Sequence, residues 1–517
     1  MSQTSQNNKR IAKNTLLLYV RMIVIMLVTL YTSRVVLDAL GESDYGIYNV
    51  VGGVVAMFSV LSGSLSGAIS RFITYELGTG NKERLKRVFA TSVNIQILMA
   101  VVILVLCEIA GVWFLNEKMN IPEGRMEAAN VVLQCSIATF MVNLVSVPYN
   151  ATIIAHERMA VFAYISILEA TLKLTVAYLI YISTSDKLIV YASLILGISV
   201  LLRVVYGTYC GRHFEEAKYH LILDRPLLKE MTGFAGWNLF GSTAYMLNTQ
   251  GVNMLINIFF GVGTNAARAI AVQVDTAVTQ FVNNFTTAIN PQITKSYAAG
   301  DREYLFKLVC RGTKYSFFIM YLFIVPIVLE ADTILGIWLK DIPADTPMFM
   351  RLVLFSTLAT LLGNATYTTI MATGKIKNYQ IAVTSVGCLV FPITWIAYKS
   401  GAPAYATYII YALVYFSLNF IRLSFLKRLM AFPMGYFIRS VFGRIGACAL
   451  LAFAIPSILT FYIPPSFWRL VLVCLVSMPW FATCVYYIGM EKDERTFFVD
   501  KARKVIKKKL LFHKQDD

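Results

Sequence analysis

The chain has 517 residues, of which 57% are hydrophobic and only 15% are charged, and its formal net charge is +17. A soluble protein of this length cannot bury so much apolar surface, so the composition excludes a soluble globular protein. The basic residues lie in short clusters between apolar runs, as in loops on the cytoplasmic side of a membrane, and no nucleic-acid partner is expected.

The apolar runs are about 20 residues long, which is the length that crosses a bilayer core. They predict an all-α integral membrane protein with about fourteen transmembrane helices. No small-residue cleavage site follows the first run, which is therefore interpreted as a retained span and not as a signal peptide. The predicted spans are roughly 14–36, 46–68, 88–114, 128–152, 160–182, 188–208, 232–260, 265–290, 312–336, 348–371, 379–398, 403–424, 441–462 and 467–489.

Lysine and arginine collect in alternate connecting loops. Every strongly basic loop follows an even number of spans, whereas the other loops are richer in acids such as Glu42, Asp44 and Asp332. The positive-inside rule therefore predicts that both termini, including the basic tail at 491–517, lie in the cytoplasm.

Two segments repeat at a fixed offset of 220 residues. Residues 73–85 read ITYELGTGNKERL and residues 293–305 read ITKSYAAGDREYL, and upstream Gly41 corresponds to Gly261. About six spans separate the copies, so both halves have the same orientation, as in a parallel repeat around an axis along the membrane normal. The repeat predicts an N-lobe at 1–220, a C-lobe at 221–430, two extra helices at 431–490 and a tail at 491–517. Chance convergence of two cytoplasmic loops is the alternative.

Signatures of enzymes and metal sites are missing from the sequence. The Gly-Lys pair in MATGKIKN (371–378) lacks the upstream glycine and the following Ser or Thr of a nucleotide-binding loop. The eight cysteines and four histidines show no metal-ligand spacing. The outer loops are too short for a catalytic domain. We expect no enzyme activity, no metal and no organic cofactor.

Charged side chains at membrane depth are the most informative residues, because their cost means that they normally face a cavity or a partner. Glu169 and Lys173 share one helix face and could simply pair with each other. Arg203 could extend to the headgroups, and Arg268 could belong to an ordinary loop. The candidate charges are Arg21, Lys173, Arg203 and Arg268 for the substrate, and Asp275 and Glu169 for ion coupling.

Amide side chains form two polar stripes in neighbouring predicted spans. In lipid such stripes point inward, either as interhelical hydrogen bonds or as a cavity lining. The stripe residues are Gln250, Asn253, Asn257, Gln273, Gln280 and Asn284. A polar lumen with net positive charge suits an anionic substrate, since Arg binds phosphate bidentately. A drug or cation antiporter would need acidic residues in a largely apolar pocket.

Three segments, LGESDYGIY (40–48), NAARAIAVQV (265–274) and INPQITKSYAAGD (289–301), resemble the Wzx-type polysaccharide flippases. These belong to the multidrug/oligosaccharidyl-lipid/polysaccharide (MOP) exporter superfamily. The resemblance covers about residues 10–430. It implies two pseudo-symmetric lobes of about six helices each around a central cavity, plus two extra C-terminal helices, and a monomer.

The resemblance also implies a function. The chain would move an undecaprenyl-diphosphate-linked oligosaccharide from the cytoplasmic to the outer leaflet of a bacterial inner membrane, for O-antigen, capsule or exopolysaccharide synthesis. Alternating access would be driven by H⁺, Na⁺ or the membrane potential. Arg21 and Arg268 would hold the diphosphate with help from Lys173 and Arg203, and the amides would meet the sugars. Membrane lipids and the polysaccharide polymerase machinery are the expected partners.

The resemblance leaves some distinctions open. No arginine precedes Arg71 in the second span, which counts against a peptidoglycan role, because related lipid II flippases carry one there. The first rival function is a drug or small-cation antiporter of the same superfamily, which needs the deep acids and not the arginines. A polymerase or ligase of lipid-linked glycans would need a large outer loop. A purely structural scaffold would have no use for the deep charges.

Overall fold

The computed structural model describes residues 3–496 apart from 57, 118–120, 122–123, 219, 221, 223, 340–341 and 344, and no β-strand occurs in this part of the chain. The helices are α1 Gln3–Ala56, α2 Ser59–Thr79, α3 Lys82–Leu106, α4 Val112–Glu117, α5 Met126–Ala155, α6 Met159–Ile182, α7 Lys187–His213, α8 Arg225–Met246, α9 Val252–Ala298, α10 Arg302–Leu329, α11 Ala331–Trp338, α12 Thr346–Leu361, α13 Asn364–Thr373, α14 Lys377–Cys388, α15 Val390–Lys399, α16 Ala406–Met430, α17 Met434–Phe437, α18 Arg444–Tyr462 and α19 Phe467–Cys484. The all-α prediction is confirmed.

Short helical turns that are wider or tighter than an α-helix interrupt this series. Most are π-helical, a form that frees backbone groups and often occurs at functional sites. The π-helical turns are Cys107–Gly111, Leu247–Gly251, Ile438–Gly443 and Val485–Gly489, and a 3₁₀ turn spans Glu215–Ala217.

Ten helical segments of the described chain are long and apolar enough to cross a membrane. They coincide with the predicted spans three to six and nine to fourteen. The other four predicted spans lie on α1, α2, α8 and α9, outside these ten segments. Within α1, the shorter stretch Asn14–Thr29 is also apolar. A multi-span membrane protein is therefore supported, while the count of about fourteen stays a prediction.

The repeat predicted from the sequence reappears in the backbone. Gly41 and Gly261 break α1 and α9 with φ values of 78° and 82°. Gly80 and Gly300 follow α2 and α9 with φ values of 74° and 77°. Positive φ favours glycine because a Cβ would clash with the backbone. Matching kinks and helix ends at the same 220-residue offset confirm that the two segments correspond structurally.

The chain forms two compact units, each assembled from separate stretches. The first consists of Met1–Ala244, Asn284–Leu305 and Thr368–Thr384, and the second of Tyr245–Asn283, Phe306–Tyr367 and Ser385–Asp517. The predicted lobe boundaries at 220 and 430 follow the sequence repeat and stay a prediction.

The first unit has an apolar core between α1, α3, α5 and α7. Side chains such as Val51, Ile103, Val132 and Leu188 are at most 1% exposed there. Between helices in lipid such a core is stabilised by van der Waals packing, because lipid tails are as apolar as the side chains. This core includes residues of α1 and α7, the helices that carry Arg21 and Arg203.

A charged cluster in the first unit joins α1, just after its kink at Gly41, to the starts of α5 and α7. Arg125 donates to Asp44 at 2.9 Å and to Asp186 at 3.2 Å. Asp186 also caps α7 by accepting from the backbone N–H groups of Leu188 and Ile189. The hydrogen bond from Arg125 lowers the pKa of Asp186, partly opposed by burial.

This lowered pKa predicts an acid-labile contribution to stability. In the unfolded chain the Asp186 carboxyl titrates near its ordinary value of about 3.9. The contribution is therefore complete above that pH and is lost as the pH falls through the lowered folded-state value. We expect Asp186→Asn to reduce the thermal stability at pH 7 and to flatten its decline as the pH falls below about 4. Thermal unfolding in detergent measures both. An equally steep decline in the variant would contradict the assignment.

Candidate substrate-binding residues at membrane depth

Arg21 lies on α1 in the first unit and is half-buried. Its guanidinium carbon is 4.3 Å from the ring centroid of Phe162 on α6. Its Nε is buried and has no hydrogen-bond partner in the described part of the chain. A buried donor without a partner is uncommon in folded proteins. The role of Arg21 in substrate binding stays a prediction.

Glu169 and Lys173 on α6 form an ion pair at 2.6 Å, as the alternative interpretation of their spacing allowed. The pair is partly exposed, with 37% of the Glu169 side chain and 45% of the Lys173 side chain accessible. Glu169 and Tyr206 on α7 are also the electrostatic neighbours of Arg21. The structure thus brings three candidate charges together, and one positive charge remains after pairing.

Arg203 on α7 has a different neighbour. Its guanidinium carbon lies 3.9 Å from the ring centroid of Tyr149 on α5. The Arg203 side chain also lies along its own helix, close to Gly207. A Cβ added at Gly207 would lie 2.7 Å from Arg203 Nη1. Its role as an assisting cation stays a prediction.

Arg268 lies inside α9 in the second unit, so the interpretation as a loop residue is wrong. Its Nη1 donates to Asn253 Oδ1 at 3.1 Å and its Nη2 to the carbonyl oxygen of Thr249 at 3.0 Å. Thr249 belongs to the π-helical turn Leu247–Gly251, and its carbonyl oxygen also accepts from the backbone N–H of Val252. Tyr408 on α16 lies against the same guanidinium. The Nε is buried without a partner among the described residues, as in Arg21.

Asp275 lies about two turns after Arg268 on α9 and beside Thr357 on α12. Its Oδ1 is buried without a hydrogen-bond partner in the described residues. A carboxylate at membrane depth is costly when it has no cation. The role of Asp275 in ion coupling stays a prediction.

The amide residues of the two predicted stripes belong to both compact units. Asn253 accepts from Arg268, whereas Asn284 is buried and donates to the sulfur of Met22 at 3.0 Å in the first unit. Gln273 and Gln280 are exposed. The side chains of Gln250 and Asn257 lie outside the described residues. No group of three His, Cys, Asp or Glu side chains that could hold a metal ion occurs in the described chain.

Aromatic and hydroxyl partners of the candidate charges were missed at the sequence level. Phe162, Tyr206, Thr249 and Tyr408 are spread from α6 to α16, and nothing in their local spacing marks them. One weak signal exists: a tyrosine hydroxyl within an apolar span needs a polar partner.

Solved structures share this architecture. An outward-facing multidrug resistance MATE family transporter of the MOP superfamily covers 84% of this chain and 99% of its own, with a TM-score of 0.70 and 14% identity. A MOP superfamily transporter from Pyrococcus furiosus Vc1 (DSM3638), whose binding pocket has reverse polarity, covers 84% and 99%, with a TM-score of 0.68 and 13% identity. This chain therefore shares the fold of these two proteins.

The sequence comparisons are more distant. No family model matches. The Bacillus subtilis (strain 168) protein EpsK, an uncharacterized membrane protein, is 17% identical over 270 residues, which is 52% of this chain and 53% of EpsK. The match thus spans about half the length of that relative. The shared helical fold agrees with the predicted fold class.

Proposed function

We propose that the chain is a flippase for a diphosphate-linked glycolipid, which it moves from the cytoplasmic to the outer leaflet of a bacterial inner membrane by alternating access. The observation that carries this proposal is the pair of buried arginines, Arg21 and Arg268. Each lies on a MOP-fold helix at predicted membrane depth and keeps a buried Nε–H without a partner among the described residues.

The chemistry of a diphosphate fits these arginines. Charge-assisted hydrogen bonds from guanidinium to phosphate are about twice as strong as neutral ones, and the planar fork of donors matches the phosphate oxygens. Lys173 and Arg203 add positive charge, and the exposed amides of Gln273 and Gln280 can donate to and accept from sugar hydroxyls. An undecaprenyl-diphosphate-linked oligosaccharide supplies both an anion and a glycan.

A drug or cation antiporter is the second candidate, because the structural relatives include multidrug transporters. Its substrate would need an available acid. Glu169 is already paired with Lys173 at 2.6 Å, which leaves Asp275 as the predicted acid without an ion pair. The relative with a pocket of reverse polarity indicates that this fold tolerates pockets of different charge. The residues of this chain favour the anionic substrate.

A deletion strain distinguishes the two candidates. Surface polysaccharide and growth in the presence of cationic drugs are measured with and without the gene. The flippase proposal expects polysaccharide to be lost and drug tolerance to be unchanged, with recovery on complementation. Normal polysaccharide together with new drug sensitivity would establish the antiporter instead.

Ion coupling is proposed at Asp275. Binding of H⁺ or Na⁺ there would bias the transporter between its two states, with an effect on the equilibrium of roughly 5–150-fold. We expect Asp275→Asn to lower polysaccharide export by a factor in this range, and hydrogen exchange of α9 to lose its response to pH or Na⁺. Glu169→Gln is the matched control. Loss of the response in Glu169→Gln, and not in Asp275→Asn, would move the coupling site to α6.

A further inference from the structure

The two copies of the repeated segment contact each other within the first compact unit. Gly78 on α2 lies against Ala298 at the end of α9, and these two residues correspond at the 220-residue offset. A Cβ added at Gly78 would lie 2.6 Å from the Ala298 Cβ and 2.8 Å from the Lys295 carbonyl oxygen. Equivalent residues meet only where a local two-fold axis passes between them. Tyr75 and Tyr297 flank the contact, with ring centroids 6.3 Å apart.

A buried ion pair lies beside this contact. Glu157, in the turn between α5 and α6, has a side chain only 2% exposed and accepts from Lys295 Nζ at 2.8 Å. It also accepts from Gln292, and its backbone carbonyl accepts from Asn14 at 3.5 Å. Its φ of 59° is a left-handed conformation that is costly for a non-glycine residue. This turn therefore joins α1 to the second half of α9.

An apolar layer adjoins the ion pair. Leu18, Met159 and Ala288 are at most 1% exposed and pack together from α1, α6 and α9. A dry layer next to a buried ion pair excludes water, which strengthens the electrostatic attraction.

Arg71 adds a third link. Its Nε donates to the Met371 carbonyl at 3.2 Å and its Nη2 to the Ala372 carbonyl at 2.9 Å, in the last turn of α13. A cation is favourable at a helix C-terminus, where carbonyl groups lack intrahelical partners. The guanidinium also lies on the ring of Phe72 at 4.6 Å.

These contacts share one location in the predicted topology. Each lies at a helix end predicted to face the cytoplasm, and each joins a segment of the first predicted half to one of the second. We propose that Arg71, Gly78, Glu157, Lys295 and Ala298 form a cytoplasmic latch that closes the transport path at that end and opens in the alternate state. The repeated segment is then the closing contact and not a ligand site. This inference rests on the proposed transport function but does not depend on the substrate.

Gly78→Leu tests the latch directly. The added side chain has no room beside Lys295 and Ala298, so the closed state must separate. In lipid nanodiscs we expect amide hydrogen exchange in residues 14–22 and 284–298 to accelerate at least about tenfold. Gly63→Leu is the matched control, because Gly63 lies on the same helix and a Cβ there meets nothing within 4 Å. Unchanged exchange in Gly78→Leu, or equal acceleration in Gly63→Leu, would overturn the latch.

A charge-swap cycle covers the case in which Gly78→Leu fails to fold. Lys295→Glu places two carboxylates together and should accelerate exchange in the same peptides. The double variant Glu157→Lys/Lys295→Glu should bring the rate back toward the wild-type value. No recovery in the double variant would contradict a pairwise link. Hydrogen exchange reports the conformational state without substrate, so the latch and the flippase proposal can fail separately. Loss of glycan export with unchanged hydrogen exchange rejects the latch alone. Hydrogen exchange as expected, together with normal surface glycan in the deletion strain, rejects the flippase proposal alone.

Discussion

Reversing the charges of Arg21 and Arg268 together is expected to abolish glycan export while the protein remains in the membrane. Each charge-assisted hydrogen bond to phosphate contributes about 1.5–3 kcal/mol, so the loss of two such contacts lowers substrate affinity by roughly 100-fold or more. The carboxylates of Arg21→Glu/Arg268→Glu also repel the diphosphate. The measurement is the rate at which newly made polysaccharide appears at the cell surface, normalised to protein in the membrane.

A control variant separates this effect from the change in net charge. Arg212→Glu/Lys399→Glu changes the net charge by the same amount at exposed helix ends away from the candidate residues. Export in the control should stay near the wild-type rate. Wild-type export in Arg21→Glu/Arg268→Glu would show that the arginines do not bind the substrate.

Glu330→Ala is expected to produce the largest loss of stability. Glu330 is 0% exposed and accepts from Arg469 Nη2 at 3.0 Å in the second unit. Arg469 is 8% exposed and also donates to the Ile463 carbonyl at 2.8 Å. Removing one partner of a buried ion pair typically costs about 3–5 kcal/mol, because the other charge is left uncompensated. Thermal unfolding in detergent should therefore begin at a clearly lower temperature.

The apolar double variant Glu330→Leu/Arg469→Met is the control for this prediction. Replacing both partners by apolar side chains of similar size is often neutral or stabilising. Recovery of the unfolding temperature in the double variant would assign the loss to the unpaired charge. A single variant as stable as the wild type would mean that the pair does not hold α19 against the start of α11.

The repeat was predictable because it is a local pattern at a fixed offset. Gly41 and Gly261 require positive φ, and only glycine takes this conformation cheaply, so the same residue marks the same kink in both copies. The Glu169–Lys173 pair was also predictable, since residues four apart share a helix face. Both predictions depend on the geometry of one helix.

The partners of the candidate residues depend on distant segments. Arg268 donates to the Thr249 carbonyl oxygen in a π-helical turn and lies against Tyr408. Glu157 pairs with Lys295 across 138 positions of sequence. Neither contact leaves a periodic signal, because it exists only after the helices have packed.

The sidedness of lipid-linked glycan in membrane vesicles tests the flippase proposal most directly. Right-side-out vesicles are prepared from a deletion strain and from the complemented strain, and undecaprenyl-diphosphate-linked oligosaccharide is probed with a membrane-impermeant reagent that oxidises sugars. Glycan accessible only in the complemented strain, and trapped on the inner face without the gene, is the result that we predict. Equal accessibility in the two strains would contradict the proposed function.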